Sequence, residues 1–137
     1  TYAQVEEQVA AALDRAVAAA GPDPRARLEA YVTASLLPPI ADSELLSTWI
    51  AFWSLVRARS EIARLHDEQY SRFRAGLEAL LIENGAQPAA LRRISITVTA
   101  LVDGLWLELC LSPQTFAEGE AAAIARDSLP ALISTGR

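Results

Sequence analysis

The sequence predicts an all-α fold, a bundle of about six helices. Three observations predict it. Alanine and leucine are abundant while glycine is scarce, with six in 137 residues. The β-branched residues gather mostly in one segment. Apolar residues recur at helical spacing between strong stop signals at Gly21-Pro22, Pro38-Pro39 and Asn84-Gly85.

The first helix spans 2–20, with a stripe of Val5, Val9, Ala12, Leu13, Ala16 and Ala20. Gly21 suits the position after a helix end and Pro22 cannot continue one. The second, 25–37, carries Leu28, Tyr31, Val32, Ser35 and Leu36 on one side, and Pro38-Pro39 ends it. Asp42 or Ser43 can cap the third near Glu44. Its stripe of Leu45, Trp49, Phe52, Trp53 and Val56 continues through Ile62, Leu65, Phe73, Leu77 and Leu80 to Asn84. That run exceeds one ordinary globular helix, so a break is expected near 58–61 and a fourth helix after it.

Pro88 suits the first turn of a fifth helix running to about Leu111. Its opening, "ISITVTALV" (94–102), alternates like a strand. A strand needs a partner, though, and no second segment reads as one. Ile94, Val98, Leu101, Leu105 and Leu109 also keep a helical period. Ile96, Ala100, Trp106, Leu107 and Cys110 point elsewhere, so this helix is apolar nearly all round, which means central or shared with a partner. "TFAE" (115–118) matches a capping box, which predicts a sixth helix from about 116 to 133, with Pro130 disturbing its last turn.

At this length one domain is expected, spanning all of 1–137. Charged residues are 21% and apolar ones 52%, in the globular range. A single Cys110 excludes an internal disulfide, and one His66 cannot build a histidine metal site, so no metal and no cofactor are expected. No unbroken apolar run approaches the ~18 residues of a membrane span and no signal peptide is visible, so the expected location is cytoplasmic. A net charge of −5, with Arg57, Arg59, Arg64, Arg72 and Arg74 spread among acids, argues that these residues alone bind nucleic acid poorly.

Two chemistries can be imagined. Cys110 with His66 could act as nucleophile and base, but a small thiol on an apolar helix is most often core, and His66 sits in the charged run "RLHDEQ", which suggests an exposed face. No enzyme is expected. The aromatic set is the better candidate. Trp49, Phe52, Trp53 and Trp106, with Tyr70, Phe73 and Tyr31, could surround an apolar or cationic effector. By spacing alone these rings read first as plain core.

"STWIAFWSLVRARSEIARLHDEQYSRFRAGLEALL" (47–81) and "ALVDGLWLELCLSP" (100–113) resemble the C-terminal domain of TetR-family transcriptional repressors of the betaine-regulator (BetI) type. The tryptophan-rich 49–53 helix with "ARLHDEQYSRFR", and "DGLWL" at 103–107, carry the likeness. The resemblance implies an effector-binding and dimerisation domain. Its effector would be a choline-like cation or a hydrophobic compound held by Trp49, Phe52, Trp53, Tyr70, Phe73, Asp103 and Trp106, with Asp103 or Glu108 supplying a nearby negative charge. It also implies that the last two helices pair with their copies in a dimeric four-helix bundle, with Ile96, Leu107, Leu111, Ala121, Ile124, Ser128 and Leu132 at the contact. The family carries an N-terminal helix-turn-helix domain to which no segment of this sequence corresponds, and the chain has no Met. Operator DNA is therefore expected as a partner only through that missing domain. The rival is a helical homodimeric interaction module with no small-molecule site.

Overall fold

The computed structural model describes residues 1–135, and among them there are six α-helices and no strand. They are α1 (Tyr2–Ala19), α2 (Pro24–Ala34), α3 (Ser43–Leu55), α4 (Ser60–Glu83), α5 (Pro88–Leu111) and α6 (Glu120–Thr135). Local chemistry sets most of their ends. Thr1 Oγ accepts from the Gln4 amide, and the Asp23 and Asp42 carboxylates accept the first free amides of α2 and α3. Pro24 and Pro88 sit in first turns, where no amide hydrogen is missed. Gly21 and Gly85 take positive φ, 80° and 85°, just beyond α1 and α4. The break within the long third run falls at 56–59.

The expected start of the sixth helix is corrected. Pro113 opens a 3-10 turn, Pro113–Thr115, after which Phe116 is extended. Thr115 is thus in a turn of its own and caps nothing. The helix begins at Glu120 instead, behind Gly119 at φ 75°. Glu120 Oε1 accepts from the Ala117 amide at 3.4 Å. Pro130 lies inside α6, which continues past it to Thr135.

Helix α5 is the hub. It packs on α3, α4 and α6, while α2 packs on α1, α4 and α6. Its buried stripe is Ile94, Val98, Val102 and Trp106, so Trp106 lies on the inner stripe and not off it. Ser95 and Thr99 are buried beside it without penalty. Thr99 Oγ1 donates to the Ser95 carbonyl at 2.7 Å, and Ser95 Oγ reaches Glu78 Oε1 on α4 at 2.8 Å. Leu28, Val32, Phe52, Leu77, Leu81 and Leu129 are fully enclosed around it. Each contributes about 1.5–3 kcal/mol by leaving water.

By length and composition α5 could cross a membrane, although polar residues interrupt its apolar run. In the fold three helices cover its inner faces. Its outer face keeps Ile96, Leu107 and Leu111 exposed, and Ile124 of α6 is exposed too. Ala121, expected to meet a partner, is instead buried inside the chain at 3% exposure. Ser128 and Leu132 are half-buried.

Candidate ligand-binding site

Helical periodicity places three sets of side chains around one space. On α3, Trp49 and Trp53 lie one turn apart; on α5, Thr99, Val102, Asp103 and Trp106 share a face; on α4, Gln69, Tyr70 and Phe73 do the same. Together with Val9 of α1 and Ser35 beyond α2 they enclose a chamber of about 50 Å³. Trp106 is in ring contact with both other tryptophans, with centroids 6.2 Å from Trp49 and 6.5 Å from Trp53. Its indole Nε1 donates to the Ser35 carbonyl, which fixes the ring.

Asp103 provides the charge. Tyr70 Oη donates to Asp103 Oδ2 at 2.6 Å. Burial pushes the carboxyl up to about 6, against the opposing pull of the Tyr70 hydrogen bond and of His66. Burial, with the Asp103 charge, also holds the Tyr70 phenol well above its ordinary value. His66 stacks on Tyr70 with centroids 4.2 Å apart and lies 6.2 Å from Phe52. It is half-buried, so its expected place on an exposed face is corrected. A shallower opening outside Asp103, walled by Trp53, His66 and Tyr70 and by Arg57, Gly104 and Leu107, gives the carboxylate its outer side.

Two buried polar atoms at this chamber have no partner: Trp49 Nε1, on a residue only 2% exposed, and Gln69 Oε1. Buried donors and acceptors are almost always satisfied, and an orphan costs about 1–3 kcal/mol.

Six of the seven residues expected to bind ligand line the chamber. Phe52 does not. It sits behind Trp49, edge-on at 5.0 Å, and packs on Tyr2 at 4.9 Å as plain core. Glu108 is exposed and takes no part, and Tyr31 lines a neighbouring groove rather than the chamber. Spacing does not single out Val9, Ser35, Gln69, Thr99 or Val102. A partial signal for Gln69 and His66 exists, since 66, 69, 70 and 73 fall on one helical face.

The geometry is that of an all-α helical bundle with an aromatic-walled, acid-bearing chamber inside it. The family model for the C-terminal domain of BetI-type transcriptional repressors matches residues 24–134. The chain belongs to that family, within the TetR regulators. It is 33% identical over 118 residues to an HTH-type transcriptional regulator BetI of Paraburkholderia phytofirmans, covering 85% of this chain and 60% of the relative. A protein of the same description from Burkholderia thailandensis is 32% identical over 134 residues, 98% of this chain and 68% of its own. A crystal structure described as a transcriptional regulator from Pseudomonas aeruginosa PAO1 superposes with a TM-score of 0.86 at 34% identity, covering 97% of this chain and 66% of that one. The chain thus spans about three-fifths to two-thirds of the length of the proteins it matches.

Proposed function

We propose that residues 1–137 form the effector-binding and dimerisation domain of a repressor, and that the effector is a small cation, choline-like in chemistry, or a hydrophobic compound held in the tryptophan chamber. The convergence of Trp49, Trp53 and Trp106 beside the Asp103 carboxylate carries this proposal. Aromatic faces attract a quaternary ammonium by about 0.5–2 kcal/mol each where water is excluded, and a carboxylate at the same place adds attraction. In an opened chamber Trp49 Nε1 and Gln69 Oε1 would offer a hydroxyl one donor and one acceptor.

The chamber's size bears on mechanism. At about 50 Å³ it holds a few water molecules, less than even a small organic cation occupies. Binding therefore requires the walls to part, and Val9 makes α1 one of those walls. A ligand that binds the opened arrangement better shifts the population toward it, and about 1.4 kcal/mol of preference is needed for each tenfold shift. In a full-length repressor, moving α1 would reposition the DNA-binding heads, and operator DNA would be released.

Titration with choline and tetramethylammonium, followed by calorimetry and tryptophan fluorescence, tests this. Binding should be saturable, quench tryptophan emission and weaken about tenfold or more in Asp103→Asn. It should also weaken as pH falls below about 6, where the carboxylate gains its proton. If no cation or apolar compound stabilises the chain against heat, and Trp106→Phe changes nothing in any titration, the interaction-module alternative stands. A ligand that binds tightly yet leaves operator affinity of a full-length version unchanged removes the signalling role.

A further inference from the structure

Toward α1 the chamber borders a second space. Val9, Gln69 and Phe73, which wall the chamber, also form the inner wall of this cavity of about 480 Å³ between α1 and α4. This groove exists for a reason visible in the sequence. Helix α1 packs along α2 and is tied to α4 by an ion pair in which Glu6 Oε1 lies 2.8 Å from Arg72 Nη2. Beyond that tie the facing side chains are small: Ala10 on α1, Ala75 and Gly76 on α4. Gly76 cannot be larger, since a methyl there would meet Tyr31 Oη at 2.5 Å. Leu13 and Phe73 complete an apolar lining, and Glu6 and Asp14 set two carboxylates against the single guanidinium of Arg72.

Resting on the cationic occupant of the inner chamber, we propose that the ligand is a cationic amphiphile whose head sits among the tryptophans and whose alkyl chain lies in the α1–α4 groove. Adjacency is the first support, because Val9, Gln69 and Phe73 line both spaces and form the partition that the opening walls would part. Charge is the second, since a net-negative lining favours a cation and opposes an anionic head. The partition supplies a third. Gln69, which lines both spaces, carries in Oε1 a buried acceptor without a partner, which a polar linker could use once the walls part. A chain lying there also touches Glu6, Val9, Ala10 and Leu13, so it acts on α1 over two turns.

The test is a series of alkyltrimethylammonium ions, methyl to octyl, titrated into the chain by calorimetry below micelle-forming concentration. Burying each methylene should tighten binding by about two- to fourfold. Ala75→Phe, at an exposed position, and Ala10→Phe should flatten that dependence while tetramethylammonium binds as before, with circular dichroism showing both variants folded. A flat series in the unaltered chain overturns the groove, whatever the variants do. A steep series that persists in either folded variant overturns it as well. Failure of every member, tetramethylammonium included, overturns the cationic chamber itself and this inference with it. A head group that binds without chain-length dependence leaves the chamber standing and removes only the groove.

Discussion

Asp103 is ionised at neutral pH against the preference of its surroundings. Its carboxyl titrates at about 6 in the fold against 3.8 ordinarily, because burial outweighs the Tyr70 hydrogen bond and the field of His66. Arg57 stands at the outer opening as the other facing charge. Since the folded state holds this proton more tightly, Asp103 contributes stability fully present below about pH 4 and lost as pH rises through about 6. Asp103→Asn should therefore be more stable than the unaltered chain at pH 7, by up to about 3 kcal/mol, and equal to it near pH 3.5. Urea unfolding of both proteins at the two pH values measures the difference, and carboxylates common to both cancel. Equal stability at pH 7 would show that the burial penalty is absent. A stable variant that has lost cation binding is what a functional acid gives and a structural one does not. Half of this is legible in the sequence. An acid inside "ALVDGLWL" has to be paired or working, and the structure shows both a partner and an open side. The partner itself, 33 residues away, cannot be read from spacing.

Helix interiors offer a paired test of how much packing overrides propensity. Glycine in a helix costs about 0.5–1 kcal/mol relative to alanine, so Gly→Ala should stabilise wherever there is room. At Gly104 of α5 nothing lies within 4 Å of an added Cβ, and Gly104→Ala should raise stability by up to about 1 kcal/mol. At Gly76 of α4 the same methyl collides with Tyr31 Oη, which donates to the Phe73 carbonyl at 2.8 Å. Gly76→Ala should lower stability by about 1–3 kcal/mol, as overpacking does. Thermal or urea denaturation reads both, and the same sign at the two sites would contradict this difference in packing. Charge is tested on α1. Glu6 is 6% exposed, and burial raises its carboxyl above the ordinary range even with Arg72 pulling it down. Arg72→Ala leaves that carboxylate unpaired, so it should cost about 1–3 kcal/mol at pH 7 and less as acid protonates Glu6. The element scale is also where sequence patterning serves best and fails most clearly. The β-branched opening of α5 is helical, as the lack of any partner strand predicts. "TFAE" has the residues of a cap and is none, because Pro113 starts a tighter turn that consumes Thr115 before α6 can begin. Cap motifs report local competence, and a neighbouring proline can claim the residues first.

On the scale of the molecule, the sequence holds a surplus of apolar side chains on α5, and the fold shows where the surplus goes. One face, with Trp106, looks into the chamber, and the adjoining outer face leaves Ile96, Leu107 and Leu111 at 43%, 38% and 65% exposure. Ile124 of α6 joins them at 40%. Four large exposed aliphatics shared by consecutive, mutually packed helices are what a two-fold contact uses, each residue meeting its copy's surroundings. The prediction is a homodimer through α5 and α6, in which Leu107 has two roles, since it also borders the outer opening at Asp103. Leu111→Glu with Ile124→Glu places like charges across that contact without touching the chamber. Sedimentation should then show a monomer at concentrations where the unaltered chain is a dimer, while circular dichroism and tetramethylammonium affinity stay the same. Leu107→Glu should do something the other pair does not, weakening the dimer and also altering cation binding by at least severalfold through Asp103. If the unaltered chain sediments as a monomer at every concentration, the exposed stripe is no self-contact. Should Leu107→Glu change assembly with no effect on cation binding, the outer opening is not joined to the acid that the chamber depends on.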